Sequence, residues 1–133
     1  MSDIGVGIDL VDLPRVTRML SDKGEHAMQR LFTADERAYL ATRPDPTGHA
    51  AARIAAKEAV YKAMQSLPGA RAIGWREIEV TRDEAGRPEI RLHGLAARLA
   101  DELGGVSIQI SLTHSAVSAG AVAVVSAPRD LGA

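Results

Sequence analysis

The segment Arg53-Ile54-Ala55-Ala56-Lys57-Glu58-Ala59-Val60-Tyr61-Lys62-Ala63 gathers three cations and a carboxylate among small residues of a strongly helical run. Glu58 and Lys62 are four apart and share a helical face. A carboxylate beside an ammonium suits a divalent metal that holds a phosphate, the oxygen taking the metal and the cation the anion. The same order, Glu then Lys, also describes an ordinary surface pair worth about 0.2–0.5 kcal/mol. At 100° per residue, Arg53 and Lys57 point away from Glu58 by roughly 140° and 100°. Either they are structural, or they serve a site completed by another subunit; Lys57 reads as a structural charge or one that supports the site from behind its ligands.

Two other places carry chemistry. The alternating run Ile108-Gln109-Ile110-Ser111-Leu112-Thr113-His114-Ser115 ends in three hydrogen-bonding side chains at a strand tip. A His there can reach a phosphate or shuttle a proton, although a lone His more often serves as a structural hydrogen-bonder. In residues 4–11, Ile4, Val6, Ile8 and Leu10 face one way, and Gly5, Gly7 and Asp9 the other. This is a half-buried strand whose glycines leave the Asp9 side bare, open to a ligand or to another backbone. Asp9 could instead cap the next helix, but Asp12 is better placed for that.

The elements that must position these groups follow from pattern. Asp12-Leu13-Pro14 opens a helix on which Val16, Met19 and Leu20 form the apolar stripe and Arg15 and Arg18 share another face. Thr33-Ala34-Asp35-Glu36 is a capping box starting a short helix to about Leu40. A long helix from about Gly48 to Leu67 carries the stripe Ala52, Ala55, Ala56, Ala59 and Ala63, flat enough for a backbone to pack close. Trp75–Arg82 and Pro88–Leu92 read as hairpin strands, 94–103 as a helix, and 106–114 and 119–126 as final strands. The order gives an α+β fold, a mostly antiparallel sheet packed on a long central helix. Residues 1–133 form one domain, with a tail from Pro128 to Ala133 expected to be disordered.

Composition narrows the class. A net charge of −1 and a pI near 6.4 give no global basic field, so nucleic acid is not an expected partner. The absence of cysteine excludes disulfides, thiolate catalysis and cysteine-bound zinc. No membrane-spanning run or signal peptide is present, so a soluble, cytoplasmic protein is expected. Aromatics are only 3% of residues, and a core of small side chains predicts oligomerisation to add buried area.

Gly5-x-Gly7-x-Asp9, Arg53-x-x-x-Lys57-Glu58-Ala59-x-x-Lys62-Ala63 and Ser111-Leu112-Thr113-His114-Ser115, in this order, resemble holo-[acyl-carrier-protein] synthase, the small type of 4′-phosphopantetheinyl transferase. The resemblance spans about residues 4–126. It implies transfer of 4′-phosphopantetheine from coenzyme A to a serine of an apo acyl carrier protein, with release of adenosine 3′,5′-bisphosphate. By the same resemblance Asp9 and Glu58 bind Mg²⁺, with Lys62 and His114 completing the catalytic set. Coenzyme A would meet Arg53, Lys62, Pro88, Thr113 and His114, and Arg15, Arg18 and Met19 would dock an acidic carrier. A fatty-acid synthase carrier ranks ahead of a polyketide or peptide one, and a carrier domain embedded in a large synthase stays open. The family pattern also implies a homotrimer with sites between subunits. Departures are Ile54, where the family often has an aromatic residue, here read as a packing change, and the two-proline loop 43–48. A non-catalytic binding module and a structural trimerising domain are the rival readings; the first would not need both Asp9 and Glu58.

Overall fold

The computed structural model describes residues 4–22 and 24–128. The chain runs β1 (Ile4–Asp12), α1 (Leu13–Asp22), α2 (Gly24–Leu31), α3 (Ala34–Ala41), α4 (Thr47–Ala63), β2 (Ile78–Arg82), β3 (Pro88–Leu92), α5 (Gly94–Glu102), β4 (Ser107–His114) and β5 (Ser118–Ser126). All strand pairing is antiparallel, as expected, but it divides into two sheets, β1-β5-β4 and β2-β3. The expected disordered tail falls, beyond Pro128, outside the described residues.

Glycine and alanine decide how the larger sheet meets α4. A β-carbon added at Gly5 would lie 1.9 Å from the Ala63 carbonyl oxygen, and one at Gly7 1.8 Å from that of Ala59. Nothing but hydrogen fits there, so β1 lies backbone to backbone on the helix. Ala55, Ala56, Ala59 and Ala63 are all buried within the chain, whereas Ala52 of the expected stripe is only half-buried. Ala119, Ala121, Ala123 and Val125 of β5 complete that interface. The opposite side of the sheet is apolar and open: Ile4, Val6, Ile8 and Leu10 are 56–72% exposed, with Val122 and Val124 beside them on β5.

A buried ion pair fastens the rest. Lys57 Nζ donates to Glu36 Oε1 (2.6 Å), to Ile78 O (2.6 Å) and to Trp75 O (3.1 Å). Glu36 accepts in turn from the Val80 and Thr33 amides, the latter closing the expected capping box. Burial pulls the Lys57 pKa down, and Glu36 offsets part of that pull. With every donor engaged, the pair pins α3 and β2 onto α4; deleting one partner would strand a charge at a cost of about 3–5 kcal/mol. Lys57 is therefore structural, one of the two readings its helical angle left open.

Three local differences from the sequence reading have physical causes. Residues 75–77 form a 3₁₀ turn and the strand starts at Ile78, because Glu77 bends back to bond the Gly74 amide at 2.7 Å and also binds that of Leu95. Helix α4 ends at Ala63, and the chain to Leu67 continues in tighter three-residue bonds, Gln65 to Lys62 and Leu67 to Met64. Helix α2 was not anticipated. It is eight residues long and buries only Ala27 and Leu31, too short a stripe to stand out.

Candidate active site

The contact of β1 with α4 sets the register of the candidate chemistry. Two strand residues advance about 6.6 Å and four helix residues about 6 Å, so the two backbones stay nearly in step. Gly5 lies over Ala63 and Gly7 over Ala59, and the next residue on that face is Asp9, one helical turn further along. Helical side chains lean toward the N-terminus, and Lys62 reaches back to donate to Ile8 O (3.0 Å) and Asp9 Oδ1 (3.2 Å). Asp9 and Glu58 both line a cleft of about 340 Å³, with Arg15, Met19, Ile54 and Trp75 among its walls.

Glu58 is the uncompensated member. No hydrogen bond or ion pair reaches its carboxylate from the described residues. Its pKa is raised, first by burial and then by the Asp9 charge, against the pull of Lys62. Two carboxylates on one cleft wall, one of them without a partner, form a donor set that a hard divalent cation would relieve. No cluster of three His, Cys, Asp or Glu occurs among the described residues, but Mg²⁺ usually takes only one or two protein carboxylates and leaves its other positions to water and phosphate. The residues present fit that ion.

A second and larger cleft, of about 980 Å³, collects Arg53, Pro88, Thr113 and His114. The tip of β4 carries Thr113 and His114 into it, while Ser115 is spent on the turn, accepting from the amides of Val117 and Ser118. Arg53 is only 4% exposed. Its guanidinium carbon sits 4.2 Å from the centre of the Tyr39 ring, its Nη1 donates to His49 O (3.4 Å), and its Nε is buried without a partner. Arg43 and Arg82 flank the same ring at 4.8 and 5.2 Å, and the His49 ring meets it edge-on. Burial and then the three arginines lower the His49 pKa, a sign of local positive potential.

The protomer thus brings together Asp9, Glu58, Lys62, Arg15 and Met19 on one side, and Arg53, Pro88, Thr113 and His114 on the other. His114 does not line the carboxylate cleft of its own chain. Arg18 is exposed on α1 outside both clefts. Ile54 lines the carboxylate cleft, so its departure from the aromatic pattern alters the site's wall and not packing alone. Sequence reasoning missed Tyr39, Arg43, His49 and Arg82. The available signal was the scarcity of aromatics: one of only two tyrosines falls on a short polar helix followed by Arg43.

Residues 5–119 match the family model of the 4′-phosphopantetheinyl transferase superfamily. The chain belongs to that superfamily. A holo-[acyl-carrier-protein] synthase of Moorella thermoacetica is 42% identical to this transferase over 119 residues, 90% of this chain and 91% of the relative. Among solved structures, the synthase of Chronobacterium ammoniagenes in complex with coenzyme A superposes with a TM-score of 0.80 at 34% identity, covering 96% and 100% of the two chains. The acyl carrier protein synthase of Mycobacterium tuberculosis gives 0.69 at 40% identity, over 93% and 97%. This transferase has their α+β fold and no described helix long and apolar enough to cross a membrane.

Proposed function

We propose that this transferase moves 4′-phosphopantetheine from coenzyme A to a serine hydroxyl of apo acyl carrier protein in a Mg²⁺-dependent reaction. The serine oxygen forms a bond to the phosphorus that bears the pantetheine. The pyrophosphate bridge to the nucleotide breaks, adenosine 3′,5′-bisphosphate leaves, and the serine proton passes to solvent or base. One observation carries the reading: Asp9 and Glu58 share a cleft, with Lys62 bound to Asp9 and Glu58 left without a partner.

Asp9 and Glu58 would hold the Mg²⁺, whose role is to neutralise the diphosphate and polarise the reacting phosphorus. Lys62, half exposed, turns from Asp9 toward a phosphate oxygen as the substrate arrives. The arginines and His114 of the larger cleft hold the nucleotide end, with Pro88 and Thr113 as its walls. Because the two clefts are separate in one chain, a complete site is built between neighbouring protomers. The exposed Ile4, Val6, Ile8 and Leu10 row supports that assembly, a homotrimer, by offering an apolar face of the kind oligomers bury. Arg15 at the carboxylate cleft and Arg18 beside it on α1 present positive charge where an acidic carrier would bring its serine. A cytoplasmic role in fatty-acid and lipid metabolism is consistent with such a carrier.

The test incubates the protein with coenzyme A, Mg²⁺ and an apo carrier, then weighs the carrier. A gain of one phosphopantetheine, lost with chelator and lost in Asp9→Ala and Glu58→Ala, is expected. An unmodified carrier, or full activity in either variant, would refute the reaction or the metal role.

A further inference from the structure

Arg53 and Arg82 of the larger cleft, with Arg43 beside them on the same ring, are held in an arrangement that costs energy without a ligand. Their guanidinium carbons lie 4.2, 4.8 and 5.2 Å from one ring centre, so every pair is within about 10 Å, the Debye length at 0.1 M salt. Little anionic charge offsets them. Glu36 is near Arg53, but its carboxylate is engaged by Lys57; Asp45, on the cleft wall, accepts the Thr47 amide. Arg53, a residue of the cleft wall, also keeps an Nε that is itself buried and has no acceptor among the described residues. The Tyr39 ring lies within 5.2 Å of all three guanidinium carbons, and its quadrupole attracts each of them. The ring stands on α3, fixed by the capping box and the Glu36–Lys57 pair beneath it.

We infer that Tyr39 is a positioning residue: its ring gathers Arg43, Arg53 and Arg82 into a preformed receptor for a phosphomonoester dianion, that of the nucleotide end of coenzyme A. The inference rests on the proposed transfer reaction for the identity of the ligand. Tyr39 itself touches no substrate. It restrains the guanidinium groups before the anion arrives, so less ordering remains to be done on binding. Arg82 Nη1 donates to Gly86 O and Arg43 Nε to Thr42 Oγ1, and a dianion shared among the remaining forked donors adds the charged acceptor the cluster lacks. Selectivity follows from placement: a nucleotide without that phosphate gains nothing from the cluster.

The test is calorimetric titration of the intact protein, in Mg²⁺, with adenosine 3′,5′-bisphosphate and with adenosine 5′-monophosphate. Tyr39→Leu should weaken the bisphosphate about tenfold while the monophosphate changes less than about twofold; Tyr39→Phe, which keeps the ring, should stay within about threefold of the parent. Combining Tyr39→Leu with Arg43→Gln should cost less than the two single losses multiplied together, because one acts through the other. Equal loss for both nucleotides, undiminished bisphosphate affinity, or simple multiplication would overturn the inference. If circular dichroism shows Tyr39→Leu unfolded, Tyr39→Met and Tyr39→Gln replace it. A selective loss of bisphosphate affinity in both supports the receptor, and unchanged affinity in both overturns it. Selective binding by a protein that transfers no phosphopantetheine would overturn the proposed reaction and leave the receptor standing.

Discussion

Lys62 Nζ lies 3.2 Å from Asp9 Oδ1, joining the long helix to the first strand across a sequence separation of 53 residues. The lysine side chain is 51% exposed, and exposed pairs contribute little to stability, about 0–1 kcal/mol. The pair therefore reads as a holding position for a cation used elsewhere. Lys62→Gln should leave the melting temperature within a few degrees of the parent and lower turnover by about a hundredfold or more. Differential scanning fluorimetry with a steady-state transfer assay measures both. A large loss of stability with turnover retained would reverse the assignment.

Gly7→Ala should be among the most damaging single-methyl changes in the chain. The new carbon would overlap the Ala59 carbonyl oxygen at 1.8 Å, and a helix backbone cannot swing aside as a side chain can. A loss of about 3 kcal/mol or more, or insoluble protein, is expected. By contrast Gly48→Ala, in open space on α4, should be neutral or mildly stabilising. Urea unfolding of the two variants side by side gives the comparison.

The open apolar row on β1 predicts a designed monomer. Ile8→Glu places a charge on a side chain that is 70% exposed in the single chain, so the protomer should keep its far-ultraviolet circular dichroism. Light scattering after size exclusion should shift from trimer to monomer, and transfer should fall with it. A folded monomer with full activity would show that one chain carries a complete site.

Arg15→Glu with Arg18→Glu should raise the KM for the carrier about tenfold or more, with coenzyme A affinity unchanged. In the parent the carrier KM should rise with salt as the charges are screened. Unchanged carrier KM in the double variant would remove α1 from the docking surface.

Glu79 supplies a pH dependence outside the site. Burial alone would raise its pKa, but hydrogen bonds from Thr33 and His93 outweigh burial and hold it below the ordinary value of 4.5. A depressed carboxylate stabilises the fold above the unfolded pKa, and that contribution is lost as pH falls through the folded one. Glu79→Gln should therefore unfold at lower urea than the parent near pH 7, the gap closing as pH falls through the depressed folded value. A gap that widens on acidification would contradict the sign.

The readable part of this molecule was the part written in local pattern. Thr33 and Glu36 announce a cap by spacing alone, and the glycines of β1 announce close approach because no other residue tolerates it. Asp9, Glu58 and Lys62 fell within recognisable motifs and meet in space. The inward face of β1 was less legible, since its apolar row faces outward and the glycine row faces the core, against the usual sense of hydrophobicity. Tyr39 and its arginines were invisible because they come from α3, a loop, α4 and β2; only tertiary packing brings residues 39, 43, 53 and 82 to one ring. The α2 helix was missed because two buried residues make no period.

The backbone seating of Gly5 and Gly7 on α4 has a consequence for how this protein can diverge. The spacing between the two carboxylate-bearing elements is governed by main-chain atoms, whose dimensions no substitution changes. Core side chains elsewhere can be exchanged without retuning the gap between Asp9 and Glu58. Tolerance of drift is thus concentrated away from a narrow ridge of two glycines and two alanine carbonyls, which acts as the chain's fixed gauge.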